Sequence, residues 1–244
     1  MIARARLYAL IQICKRAIHV YEQRFTLFVA YIYTANLRPV VRDVMELHKN
    51  KAALIVIDMQ NSFCKADGQV AAIGLDTSAC QAAIPDCAAV LETARAAGIP
   101  IYFTRYVYQT DYADGGVMVD HIMPELAQVS ALQAGSTDAD IVPELTPREG
   151  EQVIDKNRPS AFYKTNLEAQ LAEAGCEQLV VCGVTTNCCV ESTVRDASHR
   201  DMQVFVIGDA CAELDAERHA VSLRSMDMLF ADVIDKASFR QSMS

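Results

Sequence analysis

Three reactive side chains stand where apolar runs stop. Asp58 follows Ala52-Ala53-Leu54-Ile55-Val56-Ile57, and Lys156 follows Gln152-Val153-Ile154-Asp155. Cys189 comes shortly after Gln178-Leu179-Val180-Val181-Cys182-Gly183, in what reads as the first turn of a helix. A helix N-terminus carries partial positive charge and unpaired N–H groups, which favour a thiolate over a thiol. A nearby ammonium pushes the same way, and a carboxylate can take the thiol proton. The N–H groups of the same turn could hold a developing oxyanion. Base, positive charge and nucleophile together make the equipment for acyl transfer. Singly, each residue has a plainer reading. A Cys at a helix start is often a small buried hydrophobe, an Asp at a strand end is often a turn former, and Lys156-Asn157-Arg158-Pro159 could be a solvated turn. Their coincidence carries the argument.

The elements around them must bring the three together. Ala52–Ile57 reads as a strand buried on both faces, followed by a helix over 77–97 that Asp76 caps and Gly98 stops. Strands follow at 99–104, 152–155, 178–183, 203–207 and 231–234, with helices near 166–174, 188–200 and 216–229. Residues 106–147, with Asp114-Gly115-Gly116 and three prolines, form a long excursion of short pieces, of the kind that is usually functional. Apolar strands alternating with helices predict an α/β, doubly wound, mostly parallel six-stranded sheet with helices on both faces. In such folds ligands bind at the carboxyl ends of the strands, which is where Asp58, Lys156 and the Val184–Cys189 turn fall.

Composition narrows the function. The 244 residues carry a net charge of -9, and no basic stripe is present to bind nucleic acid phosphates. Nine Cys with no CxxC pair form neither a disulfide framework nor a zinc signature, and read as reduced thiols of a cytosolic enzyme. GxSxG, GxxxxGK[ST] and GxGxxG motifs are missing, and the five His show no ligand spacing. Charge is unevenly spread. Residues 1–44 hold seven Lys and Arg against two acids, and residues 45–244 hold fifteen against twenty-nine. The apolar run Phe25–Ile32 is too short for a spanning helix. The basic, aromatic stretch 1–44 is therefore an N-terminal extension: an appendage or upstream-start segment, a docked helix or a targeting segment. The domain proper is expected over 45–244.

Three blocks carry a resemblance: Ala53-Leu54-Ile55-Val56-Ile57-Asp58-Met59-Gln60-Asn61-Ser62-Phe63; Val153-Ile154-Asp155-Lys156 with Ser160-Ala161-Phe162; and Cys182-Gly183-Val184-Thr185-Thr186-Asn187-Cys188-Cys189-Val190-Glu191-Ser192-Thr193-Val194-Arg195-Asp196-Ala197. From about Lys51 to Lys236 the chain resembles the isochorismatase-like cysteine hydrolases. The resemblance implies Cys189, rather than Cys188, as nucleophile, Asp58 as general acid/base and Lys156 as the third member of the triad. It also implies a cis peptide at Val184–Thr185 and an oxyanion hole from the N–H groups of Thr185 and Cys189. Phe63 and Phe162 match pocket-lining positions, although core packing accounts for each equally well. Arg105 and Tyr106, at the end of the second strand, are candidates to meet a carboxylate.

Departures from the family pattern sharpen the expectation. Gly68–Tyr108 contains no His, so the zinc site of the family's nicotinamidases is not expected. Isochorismatases proper lack the cysteine. The resemblance is closer to the ureido and carbamoyl branch, and it implies a metal-independent and cofactor-free amidohydrolase for a small amide. A homodimer or homotetramer with no nucleic acid or membrane partner is expected on the same ground. The alternatives are an ether hydrolase or other chemistry on the same scaffold, and a catalytically silent binding protein.

Overall fold

The computed structural model describes residues 45–244; the extension expected at 1–44 lies outside the described residues. Six strands form one sheet: β1 (Ala52–Ile57), β2 (Ile101–Tyr106), β3 (Gln152–Lys156), β4 (Gln178–Val184), β5 (Gln203–Ala212) and β6 (Asp232–Ile234). Their order is β3-β2-β1-β4-β5-β6, and every pairing is parallel. The order reverses between β1 and β4, which leaves a crevice beyond their carboxyl ends. Asp58 leaves β1 there and Thr185 leaves β4.

The central strands are apolar throughout because both faces are covered. β1 and β4 are buried along their whole length. Alternation along the strands divides their side chains between two cores. Leu54, Val56, Phe103, Val180 and Cys182 face one. Ala53, Ile55, Ile57, Tyr106, Ile154 and Val181 face the other. Helices α1 (Ile84–Ala97) and α5 (Lys236–Met243) cover the first core with Val90, Leu91, Phe239 and Met243. Helices α2 (Leu167–Glu173), α3 (Glu191–Ser198) and α4 (Ala216–Leu229) cover the second with Leu171, Val194 and Met226.

Several expected boundaries move. The helix expected over 77–97 is two pieces, Ser78–Ala82 and α1, because Pro85 in the first turn of α1 has no N–H to continue the ladder. Asp76 still accepts the Ser78 N–H at 2.9 Å, and Gly98 ends α1 at φ 70°. β2 starts two residues later than expected, since Pro100 lends the sheet only its carbonyl, to the Leu54 N–H. It then runs on to Tyr106, opposite Lys156. β5 continues past Ile207 to Ala212, across an irregularity in its pairing with β4. The helix expected from Cys188 opens instead as a π-turn, Thr186–Val190, before α3 begins. α5 was not anticipated from the sequence. No helix among the described residues is long and apolar enough to cross a membrane.

Candidate active site

The three residues singled out by position converge on one edge of the sheet. Asp58, at φ 47°, ends β1 in a conformation few non-glycine residues adopt. Its Oδ2 lies 2.6 Å from Lys156 Nζ, and both side chains are fully buried. Its Oδ1 accepts the Thr104 hydroxyl at 2.6 Å, while the Asp58 N–H donates to the same Oγ1 at 3.1 Å. Lys156 also donates to the Arg158 carbonyl at 3.2 Å and sits 4.5 Å from the centre of the Tyr106 ring. Two residues on neighbouring strands thus hold the carboxylate, and a ring, a carbonyl and a carboxylate hold the ammonium.

Burial alone would lower the Lys156 pKa, but the Asp58 carboxylate beside it acts the other way and the net direction is up, so the lysine stays charged. Cys189 is 4 % exposed. The Cys188 thiol hydrogen-bonded to it and its burial push the Cys189 thiol up, against the pull of Lys156. Cys188 moves the other way, chiefly because of the same hydrogen bond. Cys189 therefore rests as a thiol beside a carboxylate and a fixed positive charge.

The turn carrying Cys189 is held from several sides. Val184–Thr185 is a cis peptide. The Thr185 carbonyl accepts the N–H groups of Cys188 and Val190 at 3.1 and 3.2 Å. Glu213, almost fully buried at the end of β5, accepts the Asn187 N–H at 2.9 Å. Thr193 donates to the Cys189 carbonyl at 2.7 Å and accepts the Ala161 N–H at 3.0 Å, tying the Cys189 turn to the segment after Lys156. Ser160 and Asp196 are hydrogen-bonded across the same seam.

A family model, the isochorismatase domain, matches residues 52–238. The chain belongs to this family. Among isochorismatase-family relatives, a ureidoacrylate amidohydrolase of Variovorax paradoxus is 33% identical over 188 residues, covering 72% of this chain and 74% of the relative. One from Methylobacterium radiotolerans is 34% identical over 203 residues, covering 78% of each. Among solved structures, a cysteine hydrolase from Pseudomonas syringae superposes with TM-score 0.76 at 28% identity, covering 85% of this chain and 98% of its own.

The isochorismatase-family site brings in fewer of the outer candidates. Phe63 is partly buried and packs against both cores. Phe162 is buried in the second core, with the Arg200 guanidinium 4.7 Å from its ring centre. Arg105 is not brought to Lys156. It precedes Tyr106 on β2 and so points to the opposite face, where Asp155 binds it at 2.7 and 2.9 Å and Asp140 at 3.3 Å. Sequence reasoning passed over Thr104, Gln60 and Thr193. Gln60 closes the crevice, bonding the N–H and carbonyl of Tyr106 and the carbonyl of Ala139. Thr104 was legible in principle: a hydroxyl inside an otherwise apolar strand needs a partner. Among the described residues no three His, Cys, Asp or Glu converge closely enough to hold a metal ion. A cavity of about 280 Å³ opens at Lys156 beside Tyr108, Asn157 and Tyr163. A larger one, of about 460 Å³, lies along Cys211, Glu213 and His219 and touches none of the three converging residues.

Proposed function

We propose that the protein is a cysteine amidohydrolase that cleaves a C–N bond of a small amide or ureido compound through a Cys189 thioester. The observation that carries this reading is a buried Asp58–Lys156 pair set against a buried thiol in the turn that follows β4. Asp58 accepts the Cys189 proton as the sulfur bonds to the carbonyl carbon and the C=O electron pair moves onto oxygen. The N–H groups of Thr185 and Cys189 hold that oxyanion. Its collapse breaks the C–N bond, and the nitrogen leaves with the proton from Asp58. Water then gives a proton to Asp58 as its oxygen bonds to the acyl carbon. The C–S bond breaks, and the sulfur recovers that proton. Lys156 stays charged throughout and keeps the carboxylate and sulfur in register.

The relatives named as ureidoacrylate amidohydrolases support a carbamoyl substrate over a simple carboxamide. The test is ammonia release from ureidoacrylate, N-carbamoyl amino acids, biuret, nicotinamide and simple carboxamides, without added metal. Release from a carbamoyl compound is expected, falling by about 10⁴-fold or more in Cys189→Ala. Activity that survives this substitution removes Cys189 as the nucleophile. Silence on every compound moves the reading to another leaving group or to a binding role.

A further inference from the structure

Lys156 and Cys189 come from strands that do not pair with each other. Lys156 ends β3, an edge strand bonded to β2 alone, and Cys189 follows the end of β4. β2 and β1 stand between them, and the twist at each pairing varies, so the sheet by itself sets their separation loosely. A second, shorter link closes the ring. The segment Ser160-Ala161-Phe162, just after Lys156, meets one face of α3 and of the turn beyond it. Thr193 takes the Ala161 N–H at 3.0 Å, and Ser160 is hydrogen-bonded to Asp196. The Arg200 guanidinium lies 4.7 Å from the centre of the Phe162 ring. Positions 193, 196 and 200 are three and four apart, the spacing of a single helix face.

Of these three, Thr193 also reaches the Cys189 turn, donating to the Cys189 carbonyl at 2.7 Å. Thr193 and Ala161 are fully buried. A hydroxyl in such a place costs free energy unless it is hydrogen-bonded, and this one both donates and accepts. A threonine that bonds the carbonyl four residues back gains its own helix little. Here the bond fixes the peptide that carries Cys189, and the same oxygen holds the segment that Lys156 begins. One side chain therefore joins the two halves of the site through two hydrogen bonds in series.

We infer that Thr193 is a positioning residue: the Ala161–Thr193–Cys189 bridge sets the separation at which the Lys156 ammonium acts on the Cys189 sulfur. This role rests on the amidohydrolase reading of Cys189 and Lys156, and adds to it what fixes their spacing. Among the groups that act on the thiol, Cys188 and Asp58 push it up and Lys156 draws it down. The Tyr106 and Tyr108 phenols also lie within electrostatic reach of Cys189. A Lys156 that drifts from the sulfur makes the thiolate harder to form, while the Asp58 contact with the lysine remains.

Two measurements test the bridge. On a compound that the native protein hydrolyses, Thr193→Val should lose about 10- to 100-fold in kcat while KM moves by less than about 3-fold. Thr193→Ser keeps the hydroxyl and should stay within about 3-fold of the native kcat. Equal losses in the two variants overturn the bridge. Alkylation of Cys189 by iodoacetamide, located by fragment-ion mass spectrometry, needs no substrate. Its rate–pH curve should move to higher pH in Thr193→Val, slowing the reaction about 3- to 10-fold at about pH 7.5, and at least as far in Lys156→Met. The double variant should match Lys156→Met alone, because Thr193 acts through the lysine. A seam that only stabilises the fold leaves the curve in place or raises the rate by exposing the thiol. Either result overturns the inference, as does a double variant slower than Lys156→Met. Should Thr193→Val fail to fold, Ser160→Ala loosens the same seam at Asp196 and replaces it: a shift to higher pH supports the bridge, and an unmoved curve overturns it. Absence of ammonia release from the native protein counts against the amidohydrolase reading alone, since alkylation reads the bridge without turnover.

Discussion

The Asp58–Lys156 contact is a buried ion pair, and burial decides what it is worth. Two charges removed from water lose several kcal/mol each, and their attraction restores this only when geometry and further bonds are good. Here the further bonds are present: Thr104 on the carboxylate, and the Arg158 carbonyl and Tyr106 ring on the ammonium. Removing one partner strands the other in the core. Asp58→Asn and Lys156→Met are each expected to destabilise the fold by about 3–5 kcal/mol. The double variant should cost less than the sum of the two by about 2 kcal/mol or more, within the range seen for coupled neighbours. Urea unfolding of the four proteins measures this, and strictly additive losses would show that the pair is not coupled. All four should fold, but only the native protein should turn over substrate.

At the scale of elements, the turn that carries Cys189 is a π-turn wedged between β4 and α3 and braced by the start of α4. His219 on α4 hydrogen-bonds the Thr186 hydroxyl through Nδ1 at 2.8 Å, and Ser222 bonds the Thr186 carbonyl at 3.3 Å. Burial lowers the His219 pKa below its ordinary 6.5, with Glu213 opposing. The folded protein therefore takes up this proton at lower pH than the unfolded chain does. Between the two pKa values the unfolded state binds more protons, so stability rises with pH in that window. This contribution is complete above 6.5 and is lost as pH falls through that value towards the lowered one. His219→Gln should flatten the fall in urea midpoint between about pH 7.5 and about pH 5.5. An unchanged slope would remove His219 as the titrating brace. The residues tying this turn to its surroundings, Thr193 and Glu213, act on the same element from its other sides.

For the whole molecule, two cores share one sheet, and the first is closed by the last helix of the chain. α5 contributes Phe239, fully buried, and Met243 to the core that α1 also covers. A terminal helix that supplied only surface could be cut without effect; this one should not be. Phe239→Ala is expected to cost about 3–5 kcal/mol, the usual loss for a buried aromatic. The candidate site itself lies on the other core, so the remaining folded protein should keep its kcat at low temperature. A loss below about 1 kcal/mol in urea unfolding would mean that α5 is dispensable to the first core.

How much was legible follows from the range of the forces involved. Burial on both faces writes itself locally, so β1 and β4 could be read from apolar runs and the end of α1 from Gly98, and Asp58, Lys156 and Cys189 could be picked out as residues at or just past strand ends. The resemblance then supplied the cis peptide, the choice of Cys189 over Cys188 and the family. Other features depend on which strands become neighbours, and no local pattern carries that. Parallel pairing of β2 with β3 turns Arg105 toward Asp155 and leaves the site to Tyr106 and Lys156. Packing of the excursion against the segment after Lys156 ties Asp114 to Asn157 and Arg158. Closure of the first core by α5 rests on contacts with a helix that lies some 150 residues earlier in the chain. Side-chain chemistry and the end of β1 at Asp58 were set by the sequence alone. Which charges meet was decided by the tertiary structure, because pairing across a sheet joins residues that no sequence interval brings together.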